Sequence, residues 1–246
     1  MKNNWMCNNF VPCGGTTNTI TLADIKPSAG FKDSTISFLA PEGPVMAIDD
    51  PEYGEIDATY VYVANAALTE AGVAGWYTQY DYDEGCYYPK NDVIIPFGQG
   101  MTVYASGSEV GTDGLTFSGI VYDKAVPLKI TSMQNNWFGN CSPVAITLGD
   151  ITVSSGFKDS SLSFLAPEGP VKTIDDPEYG EIDATYVYVA NAALTEAGVA
   201  GWYTQYDYDE GCYYPKNDEL VPAGIGFTVY ASGTEIGESI VIPAAN

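Results

Sequence analysis

The sequence predicts an all-β fold: two tandem β-sandwich domains, Ig-like or Greek-key-like, with at most one short helix each. Three observations carry that expectation. The chain of 246 residues reads twice. Short segments dense in β-branched and aromatic residues recur along each copy. Turn signals rich in Gly and Pro separate them, and several such strands in about 120 residues suit a sandwich.

The repeat sets the organisation. Ile48 to Asp92 is identical, residue for residue, to Ile174 to Asp218. The match extends to Phe31–Ser34 against Phe157–Ser160, Ile20–Leu22 against Ile146–Leu148, and Thr102–Gly107 against Thr228–Gly233. Asn3-Asn4-Trp5 matches Asn135-Asn136-Trp137, with six additional residues in the first copy. A period of this length is the size of a domain, so the chain is a tandem and not a solenoid. The expected division is 1–123 for the first repeat, 124–134 for a linker or leading strand, and 135–246 for the second repeat.

Within the first copy the expected strands are Thr19–Leu22, Ser34–Leu39, Asp57–Val63 and Thr102–Tyr104. Pro41-Glu42-Gly43, Asp50-Pro51, Tyr53-Gly54 and Pro96–Gly100 mark the turns between them. A short helix is expected at Ala66–Ala71, with Asn65 as its N-cap and Gly72 as its stop. Trp76 and its counterpart Trp202 follow Gly among apolar residues and read as core anchors. Val126–Ile130 reads as the first strand of the second domain.

Charge narrows the function. There are 32 acidic residues against 9 basic ones, all lysine, for a net charge of −23 with no His. Such a surface repels nucleic acid and anionic membranes. Chemistry that needs His or Arg is excluded, and no enzyme activity is expected. No run of 18 apolar residues is present, so no membrane insertion is expected. Met1-Lys2-Asn3-Asn4-Trp5 lacks the apolar core of a signal peptide, and a processed start is the expectation.

The five cysteines are Cys7, Cys13, Cys86, Cys141 and Cys212. One bridge per domain, Cys13–Cys86 and Cys141–Cys212, is the economical pairing, each closing about 70 residues and stabilising by about 4 kcal/mol in the chain-entropy model. Cys7 is then free or paired between chains. A local Cys7–Cys13 bridge and a fully reduced set stay open as alternatives.

The densest acidic stretch is Asp81-Tyr82-Asp83-Glu84-Gly85-Cys86, repeated at Asp207–Cys212. Carboxylates alternating along a turn are hard oxygen donors, so Asp81, Asp83, Glu84, Asp207, Asp209 and Glu210 are the candidate Ca²⁺ ligands. The alternative is an exposed polar loop. Tyr77, Tyr80, Tyr82, Tyr87 and Tyr88 surround the stretch and offer stacking faces for a glycan, against the alternative of strand-face packing.

The two ends of the repeat differ. The first copy lacks a counterpart of Val126–Ile130, and Glu238–Asn246 is an apolar strand with no domain after it. Ile240, Val241 and Ile242 are therefore the expected polymerisation strand, donated to domain 1 of the next subunit. Such a contact is head-to-tail and generates filaments unless it closes a ring. A terminal strand folded back on its own domain, or a piece of a longer array, is the alternative.

The second copy also carries an ordered motif set. It runs Gly139-Asn140 with Pro143, Ile146–Ile151, Phe157, Leu162–Leu165, Gly201-Trp202-Tyr203, Asn217-Asp218 and Val221–Phe227. In order and spacing this resembles the tandem β-domain repeats of secreted and surface proteins of Verrucomicrobia- and Lentisphaerae-type bacteria. The resemblance covers nearly all of both copies. The first copy departs from it where Cys7-Asn8 stands for Gly-Asn and Met101 for Phe. The resemblance implies an extracellular or cell-surface location and a structural or adhesive role, and it implies no site residues. The reading is thus a subunit of an extracellular filament or surface layer that partners itself, with an adhesin or carbohydrate-binding module as the alternative.

Overall fold

A computed structural model describes residues 3–11, 19–27, 36–39, 48–50, 54–56, 59–69, 71–79, 87–105, 115–117, 120–122, 124–157, 162–165, 174–176, 180–182, 185–195, 197–205, 213–231 and 239–245. The fold is all-β, built from antiparallel pairs. The chain divides into two units, Met1–Val121 and Tyr122–Asn246.

Unit 1 runs β1 (Asn3–Cys7), β2 (Phe10–Val11), β3 (Thr19–Thr21), β4 (Ile25–Pro27), β5 (Ile36–Leu39), β6 (Ile48–Asp50) and β7 (Gly54–Ile56). It continues with β8 (Thr59–Val63), β9 (Gly75–Gln79), β10 (Tyr87–Pro89), β11 (Ile94–Pro96), β12 (Gly100–Ala105), β13 (Leu115–Phe117) and β14 (Ile120–Val121). A six-stranded sheet forms in the order β1-β12-β5-β8-β9-β10, and the pairs β11-β3, β13-β4, β14-β2 and β6-β7 stand beside it.

Unit 2 runs β15 (Val126–Lys129), β16 (Asn135–Gly139), β17 (Ile146–Thr147), β18 (Thr152–Val153), β19 (Leu162–Leu165), β20 (Ile174–Asp176) and β21 (Gly180–Ile182). It ends with β22 (Thr185–Val189), β23 (Gly201–Gln205), β24 (Tyr213–Pro215), β25 (Leu220–Val221), β26 (Gly226–Ala231) and β27 (Ser239–Ile242). Its six-stranded sheet, β16-β26-β19-β22-β23-β24, repeats the order of the first.

Side-chain alternation buries both faces of the large sheet at its centre. In unit 1, Tyr60 and Trp76 join Ile20, Leu22, Ile25, Ile95, Met101 and Val103 in one cluster, while Val61, Val63 and Tyr77 form another. The first cluster draws on both the large sheet and the short pairs, so that is where the core lies. In unit 2, Phe164 sits 4.2 Å from Phe227 and 5.6 Å from Trp202 between ring centroids. Met101 occupies the place of Phe227, a flexible thioether filling the space of a ring. Both tryptophans are fully buried core anchors. Trp76 Nε1 donates to the Ile25 carbonyl at 3.0 Å, whereas Trp202 Nε1 finds no acceptor.

The expected helix at Ala66–Ala71 is a single 3-10 turn, Ala66–Leu68, and Asn65 caps it by accepting from the Ala67 N–H at 3.1 Å. The turn stops early because the Thr69 hydroxyl donates to the Ala66 carbonyl and accepts from the Val73 N–H. A second 3-10 turn in each unit, Leu22–Asp24 and Leu148–Asp150, exceeds the one short helix expected. Its Thr-x-x-Asp spacing is a capping box in sequence: the Asp24 carboxylate accepts from the Thr21 N–H at 2.8 Å and its hydroxyl at 3.0 Å.

The six additional residues of the first copy contribute β2, which pairs with β14. The expectation of a spare C-terminal strand is corrected. Ile240, Val241 and Ile242 lie in the middle of a three-stranded sheet, β15-β27-β18, wholly inside unit 2. Val126 faces Ile242 and Leu128 faces Ile240 on one side, and Thr152 faces Val241 on the other. Ile240 and Ile242 are completely buried, because their own unit supplies both the backbone partners and the apolar floor. Ile240→Ala is therefore expected to destabilise unit 2 by about 3 kcal/mol through lost contacts and a cavity, and Val241→Ala by less. Urea denaturation followed by Trp fluorescence measures both.

Candidate functional site

The sequence-derived candidates separate into those the structure describes and those it does not. Asp81, Asp83, Glu84, Asp207, Asp209 and Glu210 lie outside the described residues, as do Cys13, Cys86 and Cys212. Among the described residues, no three His, Cys, Asp or Glu side chains converge to hold a metal ion.

Cys141 is a free, buried thiol, which corrects the expected Cys141–Cys212 bridge. The physical reason is its place next to a buried asparagine. Asn140 ends β16, and its Nδ2 donates to the Val221 carbonyl at 2.8 Å and the Val144 carbonyl at 3.0 Å. Its Oδ1 accepts from the Ser142 N–H at 3.0 Å, and its backbone bonds Ile225 and Gly224. The chain is folded tightly around that side chain, and Cys141 is carried inward with it. Burial pushes the Cys141 thiol up to about 12, against a smaller lowering by a backbone hydrogen bond. Such a thiol is neither a nucleophile nor a metal ligand at neutral pH.

Unit 1 builds the same bracket with Asn8, whose Nδ2 donates to the Ile95 carbonyl at 2.9 Å and the Pro96 carbonyl at 3.3 Å. Asn8 is thus the counterpart of Asn140, and Cys7 of Gly139. A second repeated bracket uses Asn91 and Asn217, which accept from the Trp76 and Trp202 N–H groups at 2.9 and 2.8 Å. A Cβ at Gly75 would lie 2.6 Å from Asn91 Oδ1, so glycine is what lets the asparagine reach the strand.

A described surface with the character of a contact site, present in both units, is the loop after β8 and its copy after β22. Leu68 and Val73 are 55% and 58% exposed, and Leu194 and Val199 show the same values. The loop is held firmly beneath them. Thr69 bonds both ends of it, Gly72 takes a φ of 64° that favours glycine, and the Tyr77 hydroxyl donates to the Val73 carbonyl. Unit 2 repeats these bonds through Thr195 and Tyr203. Each unit therefore presents apolar side chains to water from a fixed backbone, an arrangement suited to contact. Sequence reading missed this loop because Ala66–Ala71 scores as helix. Of the tyrosines near the acidic stretch, Tyr77 is buried and Tyr82 lies outside the described residues.

A scan against protein-family models, a search of the curated proteins and a search of the solved structures each gave no match.

Two outcomes are expected. Asn140→Ala strands the buried Val221 carbonyl and the buried Ser142 N–H and frees the partly buried Val144 carbonyl, and it should lower the stability of unit 2 by about 3 kcal/mol in chemical denaturation. The raised Cys141 and Tyr186 pKa values give a signed pH dependence. Burial, then the Glu219 charge, pushes Tyr186 up to about 12. Both groups are held neutral in the fold, so their contribution is complete below the unfolded values of 9.0 and 10.0. It is lost as pH rises through those values toward about 12. The melting temperature of unit 2 should fall over that window, and Cys141→Ala should delay the onset of the fall.

Proposed function

We propose that this chain is a structural subunit of an extracellular filament or surface layer, two sandwich-type units in series that make head-to-tail contacts. The observation that supports this most is the use made of the segment that follows unit 1. Val126–Lys129 is spent as β15, a strand of unit 2's own sheet. The turn after it is fixed by Asn136, which accepts from the Thr131 N–H at 2.8 Å and donates to the Thr131 and Gln134 carbonyls. A unit that takes the incoming chain into its own sheet suits a scaffold of units in series. The strongly acidic surface keeps such a coat hydrated and repels anionic material. The motif resemblance to bacterial surface repeats points the same way, and no enzyme activity is assigned.

A second reading, an adhesin or glycan-binding module, is favoured by the fixed apolar loops at Leu68–Val73 and Leu194–Val199. Negative-stain electron microscopy with light scattering separates the two. Regular fibres or sheets are expected. A persistent monomer whose Trp emission shifts on adding oligosaccharides would replace the first reading with the second.

A further inference from the structure

The two units place corresponding strands in unequal surroundings. β27 pairs on both sides, with β15 and with β18. Its counterpart β13 pairs with β4, the counterpart of β18, and with no other strand among the described residues. The registers fix the correspondence: Leu115 faces Pro27 as Ile240 faces Val153. Exposure follows the pairing. Ile240 is completely buried in unit 2, while Leu115 is only half-buried against the core cluster of unit 1. Asparagines tell the same story. Asn136 is buried, donating to Val229 and clamping the turn out of β15, whereas Asn4 keeps the equivalent bond to Val103 but is exposed.

We infer that the outer edge of β13 is an acceptor site for an antiparallel strand, and that its occupant is the trailing segment of another unit of this kind. That segment has the chemistry of Val126–Ile130, with apolar residues at the places of Val126 and Leu128. Within this chain Val126–Lys129, which follows unit 1 in sequence and belongs to unit 2, makes that contact with β27. The same rule supplies unit 1 from a neighbouring unit, which explains how copies or units join in series. An edge with one row of backbone groups unpaired among the described residues, and an apolar residue half-covered, is the geometry that strand addition completes. This inference rests on the structural-subunit reading and names its contact.

The test uses the full chain and a labelled peptide of residues 124–134. Saturable one-to-one binding by fluorescence anisotropy is expected, with slowed amide exchange over Leu115–Phe117 and no binding by the peptide carrying Leu128→Asp. Absence of binding overturns the site, as does exchange over Leu115–Phe117 already as slow as over Ile240–Ile242 in the free chain. Self-association of the chain that protects Leu115–Phe117 and is unchanged by excess peptide puts a segment of other chemistry on the edge and also overturns it. Peptide binding by a chain that never assembles keeps the acceptor edge and sinks the filament reading, so the two failures are distinct.

Discussion

An extended strand carries two rows of backbone donors and acceptors, and in Ser239–Ile242 both rows are satisfied inside unit 2. Much of the architecture of that unit follows. Pairing with Thr152–Val153 brings the segment after the Leu148–Asp150 turn into the sheet, and pairing with Val126–Lys129 brings in the approach from unit 1. Ile240 and Ile242 can then be buried with Leu128 without leaving polar backbone in the core. Unit 1 has the same floor under a strand with fewer partners. The units therefore differ in their edges as well as in single core residues such as Met101 against Phe227.

Much of the fold was legible because each copy states its strands in β-branched and aromatic residues. Thr59–Val63 and Ile36–Leu39 are examples, where periodicity and propensity agree. Asn3–Cys7 was not legible as a strand, since asparagine is poor in sheets, and here tertiary pairing with Gly100–Ala105 overrides propensity. The Gly75–Gln79 strand was hidden by its glycine, whose purpose is visible only with Asn91 beside it. The Leu22–Asp24 turn could have been read from its capping-box spacing. The disulfide expectation failed at Cys141 because spacing carries no information on where a thiol points. The candidate contact loop was hidden by a good helix sequence interrupted by threonine. The C-terminal strand was recognised as a strand, but its partners lie far off in sequence, and no local pattern names them.

The two asparagine brackets show how the fold tolerates so many irregular connections. Each places a side-chain amide where loop carbonyls and N–H groups would otherwise be buried unpaired. Asn8 and Asn140 serve the crossing from the first strand of the large sheet, and Asn91 and Asn217 lock its fifth strand to the following turn. The central hairpins, identical in the two copies, are interchangeable in principle. What tells the units apart lies outside them, in Met101 against Phe227 and in the inserted Phe10–Val11 strand.

The register of Val126 opposite Ile242 also fixes how unit 2 meets mechanical load. The polypeptide enters and leaves the unit by adjacent antiparallel strands, so tension applied through the chain peels that pair apart one rung at a time. Hydrogen bonds loaded in sequence yield at much lower force than bonds sheared together. Unit 2 is thus a compliant link along its own backbone.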